Sequence, residues 1–150
     1  MAIDPTDAQA NALGGTPQDQ PVIFLNCHKY HARARYQADY ANSDLPPDVS
    51  GKEAYHRYLW AVERDFMSEV GGRFILAGPV ELVLIGDGDW DEVVIGEYPS
   101  KAEAFRMQTL PGYADINVHR LAGLQNVQTL SFNQHDLDRL TIPDAWRNRS

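Results

Sequence analysis

Residues 111–120 read PGYADINVHR, which places a phenol, a carboxylate, an imidazole and a guanidinium within one short stretch. Such groups can move a proton or hold an anion. Arg120 carries a planar fork of donors suited to the carboxylate or enolate of a small ligand. Tyr113 has a hydroxyl that can donate to a bound oxygen. If the stretch is helical, side chains three and four positions apart are neighbours. Tyr113, Ile116 and Arg120 then fall on or near one face with Asn117 beside them, while Asp115 and His119 fall on another. The helix divides the apparent cluster in two. Each residue also has a plainer reading: Arg120 as the partner of Glu97 or Glu103, Tyr113 as core volume, and Asp115 with His119 as a surface pair. A catalytic relay would need a third member, and the sequence suggests none.

Few other candidates exist along the chain. His28, at the end of an apolar run, is a ligand or general base, or simply a polar strand end. Glu97 and Tyr98 close another apolar run. Alternation turns only one of these two toward a helical layer, and the sequence leaves open which. Cys27, within VIFLNC, reads as a buried structural thiol rather than a nucleophile. The acidic turn GDGDWDE lacks the spacing of a calcium loop. No CxxC, HExxH or phosphate-cradling glycine loop occurs, and GEYPS is not a nucleophile elbow. The motifs ask for no metal and no cofactor.

These residues must be positioned by a chain of 150 residues, enough for one domain with a real core. Its formal net charge of -8 weighs against a nucleic-acid partner, which needs a concentrated positive face. The nearest basic cluster, HARAR at 31–35, is answered by Asp39 and Asp44. No apolar run is long enough to span a membrane. The amino terminus has no basic stretch followed by an apolar one, so no secretory signal is expected. With a single cysteine, this favours a reducing, cytoplasmic setting.

The elements follow from pattern. Residues 1–20 are polar, with Pro5, Pro17 and Gly14-Gly15, and read as a flexible arm ahead of a domain at 21–133 and a tail at 134–150. A first strand is expected over 21–28, then a long connection to Pro46-Pro47 with room for a helical turn or two. Ser50 with Glu53 fits a capping box. Tyr55, Leu59, Val62, Phe66 and Val70 form one apolar stripe, and Gly71-Gly72 ends that helix. RFILAGPVELVLIGDG is an extended run with a bend at Gly78-Pro79, and a hairpin joins it to WDEVVIGEYP. Ser100 with Glu103 caps the next helix. Pro111 breaks it and suits the first turn of another, before a last strand at QNVQTLSF. Strand, helix, two strands, helix, strand is the βαββαβ order of an α+β, ferredoxin-like fold with an antiparallel sheet.

In that fold the helices cover one sheet face, and the other should turn polar if it meets water. Here Val80, Leu82 and Leu84 oppose Val83 and Ile85, while Val93 and Ile95 oppose Val94 and Tyr98. Both faces ask for cover, so a homodimer packed sheet to sheet is expected. The rival is that the long 29–48 connection or the tails fold back over the open face.

The segments GGRFILAG, VVIGEYPSKAEAF and GYADINVHRLAG, in that order and spacing, resemble the DUF1330 family of uncharacterised proteins, related to the dimeric α/β-barrel superfamily. The resemblance covers roughly residues 21–132. It places the family's acidic-aromatic pair at Glu97-Tyr98 before Pro99-Ser100, its helix-opening tyrosine at Tyr113 and its arginine at Arg120. This chain has Gly112 where members commonly carry Glu, and a longer segment over 30–48. The resemblance implies a cytoplasmic dimer forming an α/β barrel, with a cavity between sheet and helices. The superfamily includes cofactor-free monooxygenases, isomerases and haem enzymes, so it selects no reaction. The expected function is binding of a small acidic or aromatic molecule by Tyr113, Arg120, Glu97, Tyr98, Asn117 and His28. The alternatives are a cofactor-free monooxygenase or isomerase-like enzyme, and a structural dimer without turnover.

Overall fold

The computed structural model describes residues 1–134 and 139–149. Four antiparallel strands form one sheet in the order β2-β3-β1-β4, with β1 Val22–Tyr30, β2 Arg73–Pro79, β3 Glu92–Tyr98 and β4 Leu124–Phe132. Helices α2 (Gly51–Ala61), α3 (Lys101–Arg106) and α4 (Tyr113–Gly123) lie in the connections, which is the ferredoxin-like arrangement. Helices α1 (Asp7–Gly14) and α5 (Asp144–Arg147) flank the domain, and neither contributes a buried residue. Asp136 and Asp138 of the expected tail lie outside the described residues.

The expected barrel is corrected by this topology. Strands β2 and β4 end the sheet on opposite sides, each bonded to one neighbour only, so the sheet is open. Closure would require those two edges to pair.

Local chemistry accounts for the element boundaries. The Ser50 hydroxyl accepts from the Glu53 amide at 3.0 Å, starting α2. Its partner half is missing because Glu53 turns to Arg57. The helix then loosens into a π turn over Val62–Phe66 and a 3-10 turn over Ser68–Val70. Gly71, at φ 67°, ends it as the sequence predicts. Gly112, not Pro111, precedes α4, at φ 88°. The second strand is shorter than its apolar sequence suggests. It stops at Pro79; the Val80 amide still donates to the Asp91 carbonyl at 2.9 Å, and the chain then becomes irregular. Its bulge lies between Phe74 and Leu76. Beyond it, Leu82, Val83, Leu84 and Ile85 are exposed in an irregular segment.

The connection after β1 holds no helix. It crosses the helical side, where the His31 and Arg35 amides donate to the Gly123 and Ala122 carbonyls. The outer sheet face is therefore not covered by it. That face carries Leu25, Val93 and Ile95, with Leu76 54%, Leu130 51% and Phe132 43% exposed.

Candidate functional site

The interface between sheet and helices holds an unusual number of polar side chains. Alternation from β1 turns His28 and Tyr30 toward the helices, and the register of β1 with β3 sets Glu92 opposite His28. Helix α2 supplies Tyr55, His56 and Tyr58, and α4 supplies Tyr113 and Arg120. The two helices approach closely where glycines meet. A Cβ on Gly123 would stand 2.3 Å from the Gly51 carbonyl oxygen and 2.7 Å from the Tyr55 nitrogen. Two glycines thus bring Tyr55 down onto the sheet.

His28 is only 2% exposed. Burial lowers its pKa from 6.5 to about 4, with Arg120 and His56 adding to the effect and Glu92 opposing it. The ring is therefore neutral near pH 7 and has one donor and one acceptor nitrogen. Tyr30 donates to Glu92 Oε1 at 2.7 Å, so its oxygen is left to accept from His28 Nδ1 at 3.4 Å. Tyr55 then donates to His28 Nε2 at 3.0 Å. His56 Nε2 meets Glu92 Oε1 at 2.8 Å from a half-exposed position. The bonds form one ordered path, Tyr55 to His28 to Tyr30 to Glu92, with His56 at its outer end. Burial raises the pKa of Tyr30, Tyr55 and Tyr58, keeping these phenols protonated.

The expected site residues divide between this layer and other places. Tyr113 is buried, and its hydroxyl meets that of Tyr58 at 2.8 Å. Arg120 pairs with neither Glu97 nor Glu103. It donates to the Ile3 carbonyl and lies 3.2 Å from Asp4 Oδ1. Glu97 faces the outer side, 2.7 Å from Arg73. Tyr98 faces inward against Phe24, its pKa pushed up to about 12 by burial. Asn117 is half-buried and takes no part in the polar path. His28 alone of the six enters it.

The expected surface pair of Asp115 and His119 is corrected. His119 is buried beneath the stacked rings of Tyr36 and Tyr40, whose centroids lie 4.2 Å apart, and Tyr36 Oη lies 2.7 Å from its Nδ1. Cys27 is half-buried on the outer face, and burial raises its thiol pKa, which disfavours a thiolate. Tyr30, Tyr55, Glu92 and His56 were missed by sequence reasoning. Tyr55 read as part of the apolar stripe and Glu92 as part of an acidic turn. The β1–β3 register sets Glu92 beside β1, and helix α2 brings Tyr55 and His56 to them.

Two hollows among the described residues are lined by neither Tyr113 nor Arg120. One groove of about 510 Å³ lies at the start of α4, lined by Phe66, Leu110 and Ile116 with Asp65, Glu69 and Asp115. Its three carboxylates make it unsuited to an anion. A smaller recess of about 220 Å³ lies by Glu97 and the ends of β1 and β4. Among the described residues no His, Cys, Asp and Glu cluster could hold a metal, and no helix is long and apolar enough to cross a membrane.

The sequence matches no curated protein. The crystal structure of methylated RPA0582 protein is similar at 27% identity and a TM-score of 0.77, over 92% of this chain and 98% of that one. A second crystal structure of RPA0582, a protein of unknown function from Rhodopseudomonas palustris, is similar at 29% identity and a TM-score of 0.72. The alignment covers 89% of this chain and 97% of that one. The family described as Domain of unknown function (DUF1330) matches residues 29–130, most of the folded core, and the chain belongs to the DUF1330 family.

Proposed function

We propose that this DUF1330 protein binds a small molecule bearing a carboxylate beside an apolar or aromatic body. Arg120 is the anion-holding group, at the edge of a wall formed by Tyr30, Tyr55 and Leu124. The reading rests above all on Arg120 already taking a carboxylate, that of Asp4, while Ile3 packs against that wall. Native mass spectrometry of freshly purified protein tests the reading. A reproducible added mass on the wild type that Arg120→Gln loses supports it. The same added mass on both proteins rejects Arg120 as its holder.

A second reading, cofactor-free proton transfer, is favoured by the ordered path from Tyr55 through His28 and Tyr30 to Glu92. The path ends at His56, which is exposed enough to exchange protons with water. In an enzyme of this kind Tyr30→Phe, which cuts the path without removing the ring, would reduce turnover while leaving ligand affinity nearly unchanged.

The outer sheet face points to a second copy of the chain as partner. Burying a leucine or phenylalanine side chain gains about 1.5–3 kcal/mol, and Leu76, Leu130 and Phe132 stand exposed together there. The charged groups at that face are paired within the chain, Arg73 with Glu97 and Lys29 with Asp89 and Asp91. Light scattering should give twice the chain mass for the wild type and a single chain mass for Leu130→Glu. A monomeric wild type would refute the pairing.

A further inference from the structure

Residues 1–4 make a set of contacts that helix α1, immediately after them, does not. Ala2 donates to Asn126 Oδ1 at 2.9 Å and accepts from the Val127 amide at 2.8 Å, so the segment runs along the free edge of β4. Ile3 packs against Tyr30, Tyr55 and Leu124. Its carbonyl and the Asp4 carboxylate share the Arg120 guanidinium. A branched apolar side chain and an anion are thus presented, in adjacent residues, to the aromatic wall and the cation assigned above to a ligand. We propose that residues 1–4 are an internal stopper that imitates the ligand and must leave for it to bind. This inference rests on that reading of Arg120.

The contacts suit a segment that comes and goes. Asp4 is 67% exposed at its side chain, so its ion pair with Arg120 is weakly held. One backbone bond and one side-chain bond join Ala2 to β4, and none of the α1 residues is buried to anchor what precedes them. Few buried contacts mean a small cost of local opening. A free ligand with both carboxylate oxygens available can engage the guanidinium fork in two parallel bonds, where Asp4 offers one oxygen. Ile3 sets the scale of the apolar part: a short branched chain or one aromatic ring. The acidic groove by Asp65, Glu69 and Asp115 repels such an anion.

Phenylacetate is the probe, titrated into the full chain as wild type, Asp4→Asn and the Ile3→Gly/Asp4→Asn double variant, with amide NMR as readout. In the wild type, the Val127 amide should shift and exchange faster with solvent as phenylacetate displaces Ala2. Affinity should rise about threefold in Asp4→Asn and about tenfold in the double variant. Equal binding by all three proteins, with Val127 unmoved, would refute the stopper and leave the Arg120 reading standing. No binding by any of them would overturn both. Should the double variant fail to fold, Asp4→Asn and the wild-type Val127 signal decide the question alone.

Discussion

Lowering the pH from 7 to 4 should cost this protein stability through one residue in particular, His28. Its imidazole is buried against Tyr30 and Tyr55, with Glu92, His56 and Arg120 as the charged or titratable groups around it. The unfolded chain takes up a proton on this ring near pH 6.5, whereas the folded protein does so only near about 4. Between those values the unfolded state binds more protons, so the stabilising contribution is complete above pH 6.5 and is lost as pH falls toward 4. At about 1.4 kcal/mol for each tenfold change in proton activity, the interval corresponds to about 3 kcal/mol. The quantity to measure is a difference, in which contributions common to both proteins cancel. Urea unfolding of wild type and His28→Gln at pH 7, 6, 5 and 4 gives it. The wild type should lose about 3 kcal/mol more than the variant on going from pH 7 to pH 4. Parallel profiles would refute the reasoning, since they would mean that the ring already accepts a proton in the folded state.

Two further changes probe how the polar layer is held. Gly123→Ala forces a methyl group against the Gly51 carbonyl, where backbone and not a flexible side chain must give way. A loss of about 3 kcal/mol or more in urea unfolding is expected, and a loss under about 1 kcal/mol would mean that the helices separate easily. Tyr58→Phe leaves the buried Tyr113 hydroxyl without its partner at 2.8 Å. It should cost about 1–3 kcal/mol by the same assay, and the Tyr58→Phe/Tyr113→Phe pair should cost less than the sum of the two single changes.

The residues that shape the backbone were the most legible in the sequence. Ser50, Gly71 and Ser100 each act on amides or dihedrals within a few positions, so spacing alone located the helix boundaries. The β2–β3 hairpin and the element order followed from the same local signals. The length of β2 did not. An apolar, β-branched run promised strand through Ile85, but the strand ends at Pro79, and Leu82, Val83, Leu84 and Ile85 are exposed. Its hydrophobicity reports a need for cover, not a strand. The polar path was illegible for a different reason. His28 and Glu92 are joined only by the register of two strands, and Tyr55 reaches them only because Gly51 and Gly123 let α2 and α4 close together. Arg120 was placed on a plausible face, yet its partners come from the opposite end of the chain, at Ile3 and Asp4. His119 illustrates the same limit: its burial depends on Tyr36 and Tyr40 in an irregular connection that no periodicity describes.

The central claim is that Arg120 recognises a carboxylate. Calorimetric titration of phenylacetate into the wild type and Arg120→Gln tests it most directly. The account predicts saturable binding at one site per chain in the wild type, weakened about tenfold or more when the charged fork is replaced. Equal affinity in the two proteins, or no heat in either, would contradict it.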